Sequence, residues 1–132
     1  MTVSAMLAYV DAMKPNGVET ATKKKWLADV EAMVYEEILL THEHEEGLEF
    51  DGFDSDSDEL TLKPPHEDVY RFYLESQIDL VNMELAKYNN SKALFNSAWL
   101  NASSAYNRTH TPLGAKHIDF GRRRPAWDIF RN

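Results

Sequence analysis

The 132-residue chain contains no cysteine. That excludes thiol catalysis, thiolate metal sites and a disulfide scaffold, and it agrees with folding in a reducing cytoplasm. No apolar run approaches the roughly 20 residues of a membrane-spanning helix. Glycine is scarce, with five residues, and none builds a phosphate-cradling loop or a nucleophile elbow. No nucleophile has a credible base: the serines at 91, 97, 103 and 104 lie on or near a helix without a glycine elbow, and with so few glycines an enzyme of the common α/β types is not expected. Met1 to Met13 shows neither a basic stretch nor a cleavage site, so no signal peptide is expected. The Asn-X-Ser/Thr matches at Asn89, Asn101 and Asn107 then have no compartment in which to matter.

Basic residues are also few, 14 Lys and Arg against 22 Asp and Glu, and they are unevenly spread. Residues 1–111 balance to −11, whereas residues 112–132 balance to +3. An acidic body repels phosphate, which argues against general nucleic-acid binding. The division is into a helical domain, 1–111, and a basic, aromatic arm, 112–132. A chain of this length can bury about two thirds of its unfolded surface, so one domain needs no metal or disulfide staple.

Helical periodicity dominates what is present. Val3, Met6, Leu7, Val10 and Met13 share one face of a first helix, Val3 to Met13, with Thr2 as its cap and Pro15-Asn16-Gly17 closing it. A second helix is expected from Glu19 or Ala21 to Leu40. Trp26, Leu27, Val30, Met33, Val34 and Ile38 fall on its apolar side, and Lys23 to Lys25 on the opposite one. From Pro64 onward, Tyr70, Leu74, Ile78, Val81, Leu85 and Tyr88 keep one stripe, entered through Pro64-Pro65 with Glu67 and Asp68 on the positive end. Tyr88-Asn89-Asn90-Ser91 is expected to break it, with Asn90 or Ser91 capping a last helix. That helix carries Leu94, Phe95, Ala98, Trp99, Ala102, Ala105 and Tyr106. The aromatic stripe Phe95, Trp99, Tyr106 reads as core, and the pair as an αα-hairpin. The fold class is thus all-α, a bundle of about four helices.

Between the second and third helices lies a long acidic loop, residues 42–63. Nine acidic residues and no basic one fall between Glu43 and Glu59. Leu48, Phe50, Phe53, Leu60 and Leu62 make partial docking the expectation. Leu60-Thr61-Leu62 is a candidate short strand, with Gly47-Leu48-Glu49-Phe50 as its candidate hairpin partner. Loops this long are often functional. Asp54-Ser55-Asp56-Ser57-Asp58 begins like a calcium loop, but the required glycine and final glutamate are replaced by Glu59 and Pro65. His42-Glu43-His44-Glu45-Glu46 lacks the second histidine four residues after the first that a zinc helix needs. Neither pattern supports a metal site, and no cofactor is implied.

Several strings resemble structural proteins of tailed phages. They are Val69-Tyr70-Arg71-Phe72-Tyr73-Leu74-Glu75-Ser76-Gln77-Ile78-Asp79, then Ala86-Lys87-Tyr88-Asn89-Asn90-Ser91-Lys92-Ala93-Leu94-Phe95-Asn96, and Ala105-Tyr106-Asn107-Arg108-Thr109-His110. Lys14-Pro15-Asn16 and Thr22-Lys23-Lys24-Lys25-Trp26-Leu27 are consistent with them. The chain, over roughly Met1 to Pro112, resembles the small α-helical head–tail adaptor (connector, or neck) family of phages infecting Gram-positive bacteria. The resemblance implies a non-enzymatic virion protein at the head–tail interface, held in the host cytoplasm before assembly. It implies a homo-oligomeric ring, typically twelve-fold, beneath the portal protein and around the DNA channel. A further neck or tail-completion protein would sit below it.

The arm is read from its chemistry. Arg122, Arg123 and Arg124 would steer, and Trp127, Ile129 and Phe130 would anchor, on the portal. Burying three such anchors contributes about 5–9 kcal/mol gross at ~1.5–3 each, and ordering the arm offsets much of it. One arm would bind weakly and a ring of arms tightly. The carboxylates Glu49, Asp51, Asp54, Asp56, Asp58 and Glu59 would face the lumen or the next neck protein and let DNA pass without sticking. Two rival readings are a small acidic interaction or regulatory module that mimics DNA charge, and a metal-dependent carboxylate enzyme such as a nuclease. Calorimetric titration should show no millimolar calcium binding; heat of a saturable site would restore the metal reading.

Overall fold

The computed structural model describes residues 1–113. Among them are four α-helices: α1 (Val3–Met13), α2 (Thr20–Val34), α3 (Asp68–Val81) and α4 (Leu85–Thr109). A π-helical turn, Tyr35–Leu39, prolongs α2. The all-α bundle expected from the periodicity is the observed architecture. Helix α3 is its centre, packed on α1, α2 and α4, with α4 lying chiefly along α3.

Helix α1 shows why the loop matters to the fold. The first amide groups of a helix have no partner within it. The Thr2 hydroxyl accepts from the Ala5 N–H at 3.2 Å. The Val3 and Ser4 N–H groups instead reach backbone carbonyls of the acidic loop, Asp58 at 3.0 Å and Asp56 at 2.9 Å. Thr2 and Glu59 form an antiparallel bridge there. Val3, Met6, Leu7 and Val10 then point inward, while Met13 is exposed.

Helix α2 buries Leu27, Val30 and Val34, and the π-turn buries both Ile38 and Leu39. Lys23, expected on the solvent side, is 4% exposed. It reaches back to Asp11 at 2.7 Å and Asn16 at 3.3 Å. Asn16 itself bridges Asp11, the Lys14 carbonyl and the Val18 N–H. The α1–α2 turn needs a cation to satisfy that cluster, which outweighs the lysine's preference for water.

The hairpin differs from its sequence reading in three places. Pro64 and Pro65 belong to a turn, with the His66 N–H on the Lys63 carbonyl, and α3 starts at Asp68. The break falls at Asn82-Met83-Glu84, where Met83 is left-handed (φ 58°), so Val81 and Leu85 are exposed rather than core. Asn90 and Ser91 lie inside α4. The cause is a tertiary hydrogen bond that overrides capping preference. Ser91 Oγ donates to Asp79 Oδ2 at 2.7 Å, and Lys14 Nζ binds Asp79 Oδ1 at 2.6 Å. Asp79 is 2% exposed, so one buried carboxylate fastens α1 and α4 to α3. Tyr70, Leu74 and Ile78 complete the core with Phe95 and Ala102, while Trp99 and Tyr106 pack against it half-buried.

Among the described residues no strand pairs Leu60–Leu62 with Gly47–Phe50. Leu60 and Leu62 are buried singly, each pinned by its amide, Leu60 to the Met1 carbonyl and Leu62 to the Tyr70 hydroxyl. Asp79→Ala should strand Lys14 and Ser91 and lower stability by about 2–4 kcal/mol. Ser91→Ala should cost about 1 kcal/mol. Urea unfolding midpoints measure both, and equal effects would show that the pair, not the carboxylate, matters.

Candidate functional site

The acidic loop is held against the bundle by Glu31, in the last turn of α2. Its Oε1 accepts from the Tyr70 hydroxyl at 2.8 Å, and its Oε2 from the Thr61 N–H at 3.0 Å and the Thr61 hydroxyl at 3.2 Å. Tyr70 Oη in turn accepts from the Leu62 N–H at 2.9 Å. Burial pushes the Glu31 carboxyl above its ordinary range, against the pull of those donors. Burial likewise pushes the Tyr70 phenol up, aided by the neighbouring carboxylate. Neither group is left without a partner.

With the loop so fixed, a cleft of about 450 Å³ opens between it and α2. Five of the six singled-out carboxylates, those of Glu49, Asp51, Asp54, Asp58 and Glu59, line it, with Glu31 at its base. Three aromatic rings, Tyr35, Phe50 and Phe53, form its apolar wall. Tyr35 and Phe50 are tilted at 5.3 Å between centroids, and Phe50 and Phe53 meet edge-on at 5.2 Å. Asp56 is not among the cleft residues: it pairs with Lys24 at 2.5 Å.

The carboxylates are not equivalent. Asp58 Oδ2 accepts from the Asp54 N–H at 2.7 Å and the Ser55 N–H at 3.3 Å. Those backbone donors hold it below the usual carboxylate range. The Met1 ammonium, 3.2 Å away, and then Lys63 do the same for Glu59. Among the described residues no three carboxylate or imidazole groups converge as a metal site. His42 is structural: Nδ1 lies 2.6 Å from the Ile38 carbonyl and Nε2 2.5 Å from Asn107 Oδ1, so neither nitrogen is free to ligate.

Two apolar surfaces were not foreseen. At the α3–α4 turn Leu80, Val81, Met83 and Leu85 are exposed, Met83 by 82% and Leu85 by 60%. The Lys14–Asp79 pair brings Met13, also exposed, to the same end of the bundle. The signal was the adjacency of Leu80 and Val81, which no single helical face can bury together. The second surface is a groove of about 300 Å³ between α2 and α4, walled by Met33, Phe95, Trp99 and Leu100, with Glu37 and Asn96 also lining it. The six arm residues Arg122, Arg123, Arg124, Trp127, Ile129 and Phe130 lie outside the described residues.

No protein-family profile, curated protein or solved structure matches the chain.

A carboxyl whose pKa is raised on folding binds its proton more tightly in the native state. Glu31 therefore contributes most stability below its ordinary value of 4.5, and that contribution is lost as pH rises through the raised value. Against the variant Glu31→Gln, the native chain should lose relative stability as pH climbs from 4.5 towards neutrality. Urea melts across that interval provide the measurement; a pH-independent difference would mean that Glu31 titrates normally.

Proposed function

We propose that the protein is a structural adaptor of a tailed-phage virion, a ring between portal and tail around the DNA channel. The observation that carries this reading is the exposed apolar end of the α3–α4 hairpin, formed by Leu80, Val81, Met83 and Leu85. Two of the adaptor-like strings, Val69–Asp79 and Ala86–Asn96, fall on the two arms of that hairpin. Contiguous exposed apolar side chains of this kind are normally covered by another protein surface. A contact between unlike patches of identical subunits makes a ring when the rotation between neighbours closes on itself.

On this reading the hairpin end makes the subunit contact and the C-terminal arm reaches the portal. The carboxylate-lined cleft faces the lumen or the next neck protein, where negative charge keeps passing DNA from adhering. A second reading, an acidic interaction module that mimics DNA charge, draws on the same gathering of carboxylates in one cleft. It requires the protein to compete with DNA for a basic partner.

Electron microscopy of the protein mixed with the portal of the same genome should show an added ring. The ring should be lost on removal of residues 114–132. The double substitution Met83→Asp and Leu85→Asp should also abolish the ring. Because both sites are exposed, it should leave stability within about 0.5 kcal/mol. Aspartate also tolerates the left-handed backbone at Met83. No ring with the intact chain would overturn the adaptor reading.

A further inference from the structure

Helix α4 lies chiefly along α3, which leaves an open groove of about 300 Å³ between α2 and α4. Met33, Phe95, Trp99 and Leu100 wall it, and Leu100 is exposed. The other apolar surface is convex. At the α3–α4 turn Met83 is the most exposed side chain, with Val81 and Leu85 beside it. Both surfaces sit on α4 but far apart. Leu85 opens the helix, and Trp99 lies about 21 Å further along its axis. The helix between them is rigid, so the turn does not reach the groove of its own chain.

The two surfaces are complementary in chemistry. Methionine is unbranched and fills irregular apolar gaps, and its thioether packs well on the edges of aromatic rings such as those of Phe95 and Trp99. The charges at the turn are already paired, Lys87 with Glu84 and Lys14 with Asp79, both at 2.6 Å. Burying the turn therefore brings no unpaired charge with it. Glu37, which lines the groove, is exposed and makes no ion pair among the described residues. Lys87, two residues beyond Leu85 and also exposed, is the cation of opposite sign beside the turn. Every copy carries both halves, so copies joined head to tail cover both, whereas a foreign partner on either surface leaves the other bare.

We propose that the α3–α4 turn of one copy seats in the α2–α4 groove of a second copy, with Met83 against Phe95 and Trp99 and Lys87 facing Glu37. The contact rests on the adaptor reading, whose subunit contact at the hairpin end it completes by naming the receiving surface. Together the two surfaces fall well short of the roughly 20–30 residues a side of a stable complex. One such contact is weak, and copies separate readily until a template holds several of them side by side.

The absence of native cysteine makes a direct test possible. Full chains carrying Leu85→Cys are mixed at millimolar concentration with full chains carrying Leu100→Cys, one of the two isotopically heavy, and oxidised. Both positions are exposed, so neither change touches the core. Non-reducing mass spectrometry then separates the mixed disulfide dimer from the two symmetric ones. Chance collision gives the mixed form at twice either symmetric one, and a seated turn should raise it about tenfold above that share. Adding Met83→Asp to the Leu85→Cys chain should return it to chance. Chance proportions without that change, or an excess that survives it, would overturn the proposal. The ring on the portal is read separately: an excess of mixed dimer with no ring overturns the adaptor reading and leaves the contact standing.

Discussion

Glu31 sits in the last turn of α2 with almost no access to water, and groups from two other parts of the chain donate to it. Through Tyr70 it holds α3; through Thr61, and through Tyr70 on to Leu62, it holds the far end of the acidic loop. Burying a carboxyl is costly unless every lone pair it presents is used. Here the donors are supplied by segments that must be in their native places to reach it. The cluster thus works as a coincidence detector for three elements. The 450 Å³ cleft, the docking of Leu60 and Leu62, and the contact of the loop with α1 all follow from that one placement.

Helix identity was legible wherever burial is one-sided. Val3–Met13 matches the sequence reading to the residue, because Thr2 caps one end and Pro15 closes the other. The start of α2 and the partial docking of the loop were equally readable from apolar spacing. What escaped were contacts between residues distant in sequence. Lys23 looked like a solvent-facing cation, since nothing local shows that Asp11 and Asn16 wait for it. Ser91 looked like a cap, because the pull of Asp79, twelve residues earlier, is invisible to local propensity. The uninterrupted apolar stripe through Val81 and Leu85 hid the turn at Met83, where the stripe becomes a surface. For the acidic residues, the sequence located the cluster, while the separation of Asp56 from its five neighbours depended on Lys24.

Three surfaces of different character lie at different places on this molecule. Carboxylates collect between α2 and the loop, exposed aliphatic side chains collect at the α3–α4 turn, and the aromatic groove lies between α2 and α4. An apolar contact gains from leaving water only when it brings no unpaired charge with it. The same separation lets salt modulate one surface while leaving the others largely unaffected.

The way α1 begins has a consequence for how this sequence can change. The Val3 and Ser4 amides are met by main-chain carbonyls of Asp56 and Asp58, not by their side chains. Any residue supplies a carbonyl. The cleft positions Glu49, Asp51 and Asp54 are exposed and make no ion pair among the described residues. Selection can therefore redraw the charge of this face, even reverse it, while the scaffold beneath keeps its shape. The loop is a panel that can be rewritten without rebuilding the wall.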